Sequence, residues 1–111
     1  MKKNLTLKEK MALKEFTEEA KNLLGDNLVK IHLYGSKARG HFHRNSDIDV
    51  AVIVRQSNWK EKSEILNLVF DLDLKFGVFI SPRLIPRKIL SAFIWRTAPF
   101  IQNLKREGVA L

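Results

Sequence analysis

Apolar residues near the start of the chain recur at intervals of three and four and then switch to intervals of two, a pattern that dictates a helix followed by a strand. Met11, Leu13, Phe16, Ala20, Leu23 and Leu24 carry the helical spacing. Ahead of them, Thr6-Leu7-Lys8-Glu9 has the form of a capping box, in which the threonine hydroxyl and the glutamate carboxylate each satisfy an amide left unpaired by the first turn. Behind them, Gly25 suits the left-handed residue that ends many helices. A helix is therefore predicted from about Leu7 to Leu24. In Leu28–Tyr34, apolar Val29, Ile31 and Leu33 alternate with Lys30, His32 and Tyr34, the period of a strand, and Gly35 stops it.

Residues 48–54 (IDVAVIV) are β-branched and apolar on both faces beyond Asp49, as a central strand requires. From Trp59 to Phe76, Ile65, Val69, Leu72 and Phe76 form a helical stripe with Gly77 placed to cap its end. Leu66, Leu68, Phe70, Leu72, Leu74 and Phe76 also alternate, so a strand competes over part of this stretch; length and the shortage of β-branched residues favour helix. Val78–Ile80 reads as a third strand, with Pro82 marking a bend and Pro86 the start of a helix through about Trp95. Pro99 interrupts that helix, and a last turn or two with Phe100, Ile101 and Leu104 ends near Gly108. The order helix, strand, strand, helix, strand, helix predicts an α+β (α/β two-layer) fold, a small mixed β-sheet packed against helices.

Composition sets the bounds. With 111 residues, 45% hydrophobic and 29% charged, the chain suits one domain over residues 1–111 with a modest core. There is no cysteine, so hydrophobic packing must hold the fold without disulfide or thiolate metal, which is compatible with a reducing cytoplasm. The first ten residues lack the apolar run of a signal peptide, and no later run is long enough to span a bilayer. A formal charge of +8 favours polyanionic partners such as nucleotides, RNA or an acidic protein, but the basic residues are spread along the chain as they would be on solvated helix faces.

The candidate chemistry lies between the first two strands. Gly35-Ser36 closes one strand, ten residues intervene, and Asp47-Ile48-Asp49 opens the next. Residues two apart in a strand share a face, so Asp47 and Asp49 would present carboxylates roughly 6 to 7 Å apart along the chain. Hard oxygen ligands so placed suit Mg2+, which binds one or two carboxylates together with substrate phosphates. Gly35 has no side chain to keep phosphate oxygens from the backbone, and Ser36 adds a hydroxyl and an amide. Arg39 is placed to contact a phosphate or to pair with Asp47, the first being favoured, and Lys37 reads as a solvated base. With a triphosphate held there, an acceptor hydroxyl can attack the α-phosphorus in line and expel pyrophosphate.

At Gly35-Ser36-Lys37-Ala38-Arg39-Gly40 and Ser46-Asp47-Ile48-Asp49 the sequence resembles the minimal nucleotidyltransferases of the DNA polymerase beta superfamily, and the order of elements extends the likeness over nearly the whole chain. The resemblance implies nucleotide binding by Gly35 and Ser36, metal binding by Asp47 and Asp49, and magnesium-dependent transfer of a nucleotide, ATP being the expected donor. Many short proteins of this kind are the antitoxin half of a pair with a helical HEPN protein and add AMP to one of its tyrosines. A small-molecule acceptor and a homo- or hetero-oligomeric assembly are also compatible with the family. One departure stands out: the superfamily usually places a third carboxylate on the next strand, and Val78-Phe79-Ile80-Ser81 offers none. That departure bears on catalysis more than on nucleotide binding, and it leaves a second reading, a weakly active or inactive module that sequesters its partner.

Asp71 and Asp73 are substitutes for the missing acid, but on a helix they point about 200° apart, and solvated helix acids are the simpler reading. His32, His41 and His43 read as surface or loop histidines, since two histidines without further ligands make a poor zinc site. Phe93, Trp95, Phe100 and Ile101 are either core or a partner-docking patch, and Trp59 is either a packing residue at a helix start or a base-stacking platform.

Overall fold

In the computed structural model, the described residues are 5–34, 47–91 and 109–110. Helix α1 (Leu7–Leu24) opens with the expected capping box: the Glu9 amide donates to the Thr6 hydroxyl at 3.1 Å, and the Thr6 amide donates to the Glu9 carboxylate at 2.9 Å. Its end differs from the expected left-handed cap. Gly25 has positive φ but an extended ψ (52°, −129°), and it starts a short 3-10 turn, Gly25–Asn27, that delivers the chain into strand β1 (Leu28–Tyr34). Strand β2 (Ile48–Val54) follows, then helix α2 (Trp59–Phe76), strand β3 (Ile80–Pro86), the short helix α3 (Arg87–Ser91) and a two-residue strand β4 (Val109–Ala110).

The sheet is mixed, in the order β3-β2-β1-β4. β1 runs antiparallel to β2 and β4, whereas β3 is parallel to β2 and is joined to it through α2, the crossover that a parallel pair needs. Ile48, Val50, Val52 and Val54 are fully buried on the face that α1 and α2 cover, together with Phe16, Leu33 and Ile65. Each such side chain contributes about 1.5 to 3 kcal/mol relative to exposure, so this face anchors the fold. The opposite face carries a smaller cluster, Ala51, Ile53 and Ile85, against which Tyr34, Ile89 and Leu90 pack. Covered on both faces, β2 is the central strand its sequence predicts.

Two expectations need correction. Val29 does not share a face with Ile31 and Leu33: the β1–β2 register shifts between Leu28 and Lys30, a bulge that leaves Val29 37% exposed and turns Leu28 inward instead. The third strand also begins at Ile80 and runs to Pro86, not from Val78 to Ile80. Its prolines are tolerated because β3 is an edge strand. Pro82 and Pro86 lie four apart, so both turn the nitrogen that lacks a hydrogen away from β2.

In α2 the competing alternation has a simple origin: the helix is apolar on two sides. Ile65, Val69 and Leu72 face the core, while Trp59, Leu66, Phe70 and Leu74 lie within about 80° of one another on the outer side and are 47 to 79% exposed. Asn58 caps its start by accepting from the Glu61 amide at 2.8 Å, and Gly77 ends it in the left-handed conformation (φ 67°, ψ 42°) as expected. The helix expected to start at Pro86 begins one residue later as α3, Pro86 being the last residue of β3; its expected continuation through Trp95, the break at Pro99 and the aromatic group Phe93, Trp95, Phe100 and Ile101 lie outside the described residues. Among the described residues, no helix is long and apolar enough to cross a membrane.

Candidate functional site

The topology brings four chain ends to one end of the sheet. β1 finishes there with Tyr34, β2 and β3 start there with Ile48 and Ile80, and the last turn of α2 leads into β3 at the same place. Tyr34 is in register with Asp49, and Asp49 with Ser81, so the three form a row across β1, β2 and β3. Because Ile48 and Val50 are buried on the helix side, alternation puts Asp49 on the opposite face. Asp49 is half-buried and Asp47, just before the strand, is exposed; the two carboxylates flank fully buried Ile48. Ser81, the nearest polar group on the third strand, stands directly beside Asp49.

Two residues that the sequence did not single out complete this face. Arg83 is in register with Ala51, and its guanidinium donates a hydrogen bond to the Tyr34 phenol, reaching across β2. Strands are about 4.8 Å apart, so side chains from β1 and β3 must together bridge about 10 Å, and the small side chain of Ala51 leaves the space above β2 open for them. Burial raises the Tyr34 pKa above its ordinary value; Arg83 opposes that, and the negative charge of Asp49 adds to it. Tyr34 therefore senses the carboxylate beside it.

Asp73 departs from the solvated acid expected of it. Asp71 is exposed, but Asp73 is half-buried, and its Oδ1 accepts a hydrogen bond from the Ile80 amide at 3.0 Å. Burial pushes its carboxyl above the usual range, the Ile80 N–H pulls the other way, and the charge of Asp47 pushes it up further. Asp73 and Asp47 thus lie close enough to repel. The signal in the sequence was positional: Asp73 sits four residues before the cap Gly77, where a helix acid can turn back onto the chain that leaves the helix.

Among the described residues, no group of three or more His, Asp or Glu side chains is arranged to hold a metal ion. Asp47 and Asp49 form a donor set of two carboxylates, which fits a cation that completes its shell with substrate phosphate oxygens and water. Gly35, Ser36, Lys37, Arg39, His41 and His43 lie outside the described residues.

His32 is on the same face, in register with Ala51, and its Nδ1 is buried with no hydrogen-bond partner among the described residues. Burial, then the charge of Lys30, lowers its pKa below the ordinary 6.5. Between the folded and unfolded pKa values the unfolded chain holds the extra proton, so the neutral ring's contribution to stability is complete above pH 6.5 and is lost as pH falls toward the folded value. Denaturation in urea at pH 7.5 and pH 5 is expected to show this loss in the wild type and less of it in His32→Leu.

A family model described as a nucleotidyltransferase domain matches residues 13–108. The chain belongs to the nucleotidyltransferase domain family. A Methanocaldococcus jannaschii protein named "Putative protein adenylyltransferase" is 35% identical over 83 residues, covering 74% of this chain and 84% of that protein. A second protein of the same organism and the same name is 30% identical over 106 residues, covering 95% of this chain and 99% of its own length. Among solved structures, a chain from a toxin–antitoxin crystal structure with AMP-PNP is 27% identical with a TM-score of 0.52, covering 85% of this chain and 70% of that one. The expected small mixed sheet packed against helices is the fold of this nucleotidyltransferase.

Proposed function

We propose that this nucleotidyltransferase moves a nucleoside monophosphate, AMP by preference, from a magnesium-bound NTP to a hydroxyl of a partner protein. The observation that carries the reading is the placement of Asp47 and Asp49 on either side of a buried isoleucine, at the sheet end where β1 finishes with Tyr34. Asp47 and Asp49 hold the cation, and Gly35, Ser36 and Arg39 hold the triphosphate. The cation, when bound, neutralises charge on the phosphates and lowers the pKa of the attacking hydroxyl. The acceptor oxygen attacks the α-phosphorus, the bond from that phosphorus to the bridging oxygen breaks, pyrophosphate leaves, and the hydroxyl proton passes to solvent or to a base. Arg83, bonded to Tyr34 in the row that contains Asp49, would add a positive charge for the phosphates.

The partner we favour is a HEPN-type toxin whose tyrosine receives AMP. Two things support it: the likeness to a chain of a toxin–antitoxin structure with AMP-PNP, and the outer side of α2, where Trp59, Leu66, Phe70 and Leu74 offer an uncharged strip suited to a helix of a partner. Incubation with magnesium, the product of the neighbouring gene and ATP labelled at its α-phosphate should transfer label to the partner. Absence of label on a folded partner would refute the reading.

A second reading rests on a specific observation, namely that the residue beside Asp49 on β3 is Ser81 and not an acid. In that reading the domain restrains its partner by binding alone. Neutralisation of the partner that survives replacement of both Asp47 and Asp49 by alanine would select it over the first.

A further inference from the structure

We infer that Asp73 is a positioning residue of the transfer site, acting through the Phe79–Ile80 peptide on the segment Asp47-Ile48-Asp49. The inference adds a residue to the proposed site, and its hydrogen-bonding part stands whether or not that site turns over. One amide group lies at its centre. The N–H of Ile80 donates to Asp73 Oδ1 at 3.0 Å, and the carbonyl of Phe79, on the same peptide plane, accepts from the Ile48 amide at 2.8 Å. In a trans peptide these two groups point in opposite directions, so Asp73 and Ile48 grip the plane from its two sides.

Each bond of such a chain polarises the next, and the chain needs an acceptor oxygen at its end to start it. Asp73 also fixes the turn that carries this peptide, because its own backbone carbonyl accepts from the amides of Gly77 at 2.9 Å and Val78 at 3.3 Å. A single residue therefore holds three amides of the turn between α2 and β3.

At the receiving end is the residue between the two candidate ligands. Ile48 is fully buried, so its backbone cannot shift without carrying Asp47 and Asp49 with it. Loss of the Asp73 bond frees the Phe79–Ile80 plane to rotate, weakens the Ile48 bond, and widens the range of positions open to both carboxylates. Metal sites are sensitive to such supporting hydrogen bonds, whose removal typically costs about 10- to 100-fold in affinity or activity.

Two substitutions separate positioning from charge and from plain capping. Asp73→Ala removes the acceptor. Asp73→Asn keeps an oxygen for the Ile80 N–H but removes the charge that burial and Asp47 oppose, so the asparagine variant is expected to fold at neutral pH and to melt no lower than the wild type. Amide exchange at Ile80 and Ile48, read by NMR, and affinity for MnATP, read by water-proton relaxation, are the measurements. In Asp73→Ala both amides are expected to exchange faster and MnATP affinity to fall about tenfold; in Asp73→Asn both are expected to return to within about twofold of wild type.

Wild-type exchange at Ile48 and wild-type MnATP affinity in Asp73→Ala would overturn the inference, leaving Asp73 a local cap. Equal impairment in the two variants would overturn it as well, since charge and not the hydrogen bond would then be the cause. Failure of the wild-type protein to bind MnATP would instead count against the proposed function, with the Ile48 exchange data still deciding the role of Asp73.

Discussion

Replacing Asp49 with asparagine is expected to slow nucleotidyl transfer by about a thousandfold or more while leaving the fold intact, the effect of removing a charge that would hold the cation offsetting negative charge on the phosphates. Asn has nearly the same shape, and Asp49 lies on the face away from the main core, so neither packing nor the β2 ladder should change. Asp47→Asn should act in the same direction from its exposed position at the strand entry. A second readout is built into the chain, which contains a single tyrosine. The negative charge of Asp49 raises the Tyr34 pKa, so ultraviolet titration of the phenol should show a lower value in Asp49→Asn. Unchanged transfer in both variants would dismiss the carboxylates as ligands, and an unchanged phenol in Asp49→Asn would dismiss the row that places Asp49 beside Tyr34.

The second large effect concerns stability. Ile48→Ala removes a fully buried side chain from the main core and should destabilise the protein by about 2 to 5 kcal/mol, the usual range for such a cavity. The cavity would open in the core on the face opposite Asp49, beneath the backbone that joins the two aspartates, and the Ile48 amide is also the donor to Phe79. Affinity for the metal–nucleotide should therefore weaken along with the midpoint of urea unfolding. Leu66→Ala, on the 47% exposed outer side of α2, provides the contrast and should change stability by less than about 0.5 kcal/mol. Equal midpoints for the two variants would contradict the packing described for β2.

Most of the fold was legible because local chemistry and periodicity agreed. Thr6 and Glu9 marked the start of α1, Gly77 marked the end of α2, and the β-branched run from Ile48 to Val54 could be buried on both faces only in a central strand. What escaped depended on contacts distant in sequence. β4 is two residues long and exists by pairing with His32 and Leu33, which no local pattern encodes. The extent of β3 was hidden by Pro82 and Pro86, whose tolerance follows from an edge position that only the strand order reveals. Val29 was placed on the wrong face because a bulge breaks the two-residue period without a glycine to announce it.

The candidate site divides in the same way. The spacing of Asp47 and Asp49 is local in sequence and could be picked out directly, although Asp47 lies just before β2 and not in it. Tyr34 and Arg83 meet across an intervening strand, so their bond requires the registers of β1 with β2 and of β2 with β3 together. Asp73 was read as a helix-surface acid because its bond to Ile80 forms only once the chain turns back after Gly77.

A crystal structure of the protein with magnesium and a non-hydrolysable ATP analogue tests the metal assignment most directly. The cation should sit about 2.0 to 2.1 Å from an oxygen of Asp47 or Asp49 and share phosphate oxygens with the nucleotide. A nucleotide and cation bound elsewhere, with both carboxylates turned away from them, would contradict it.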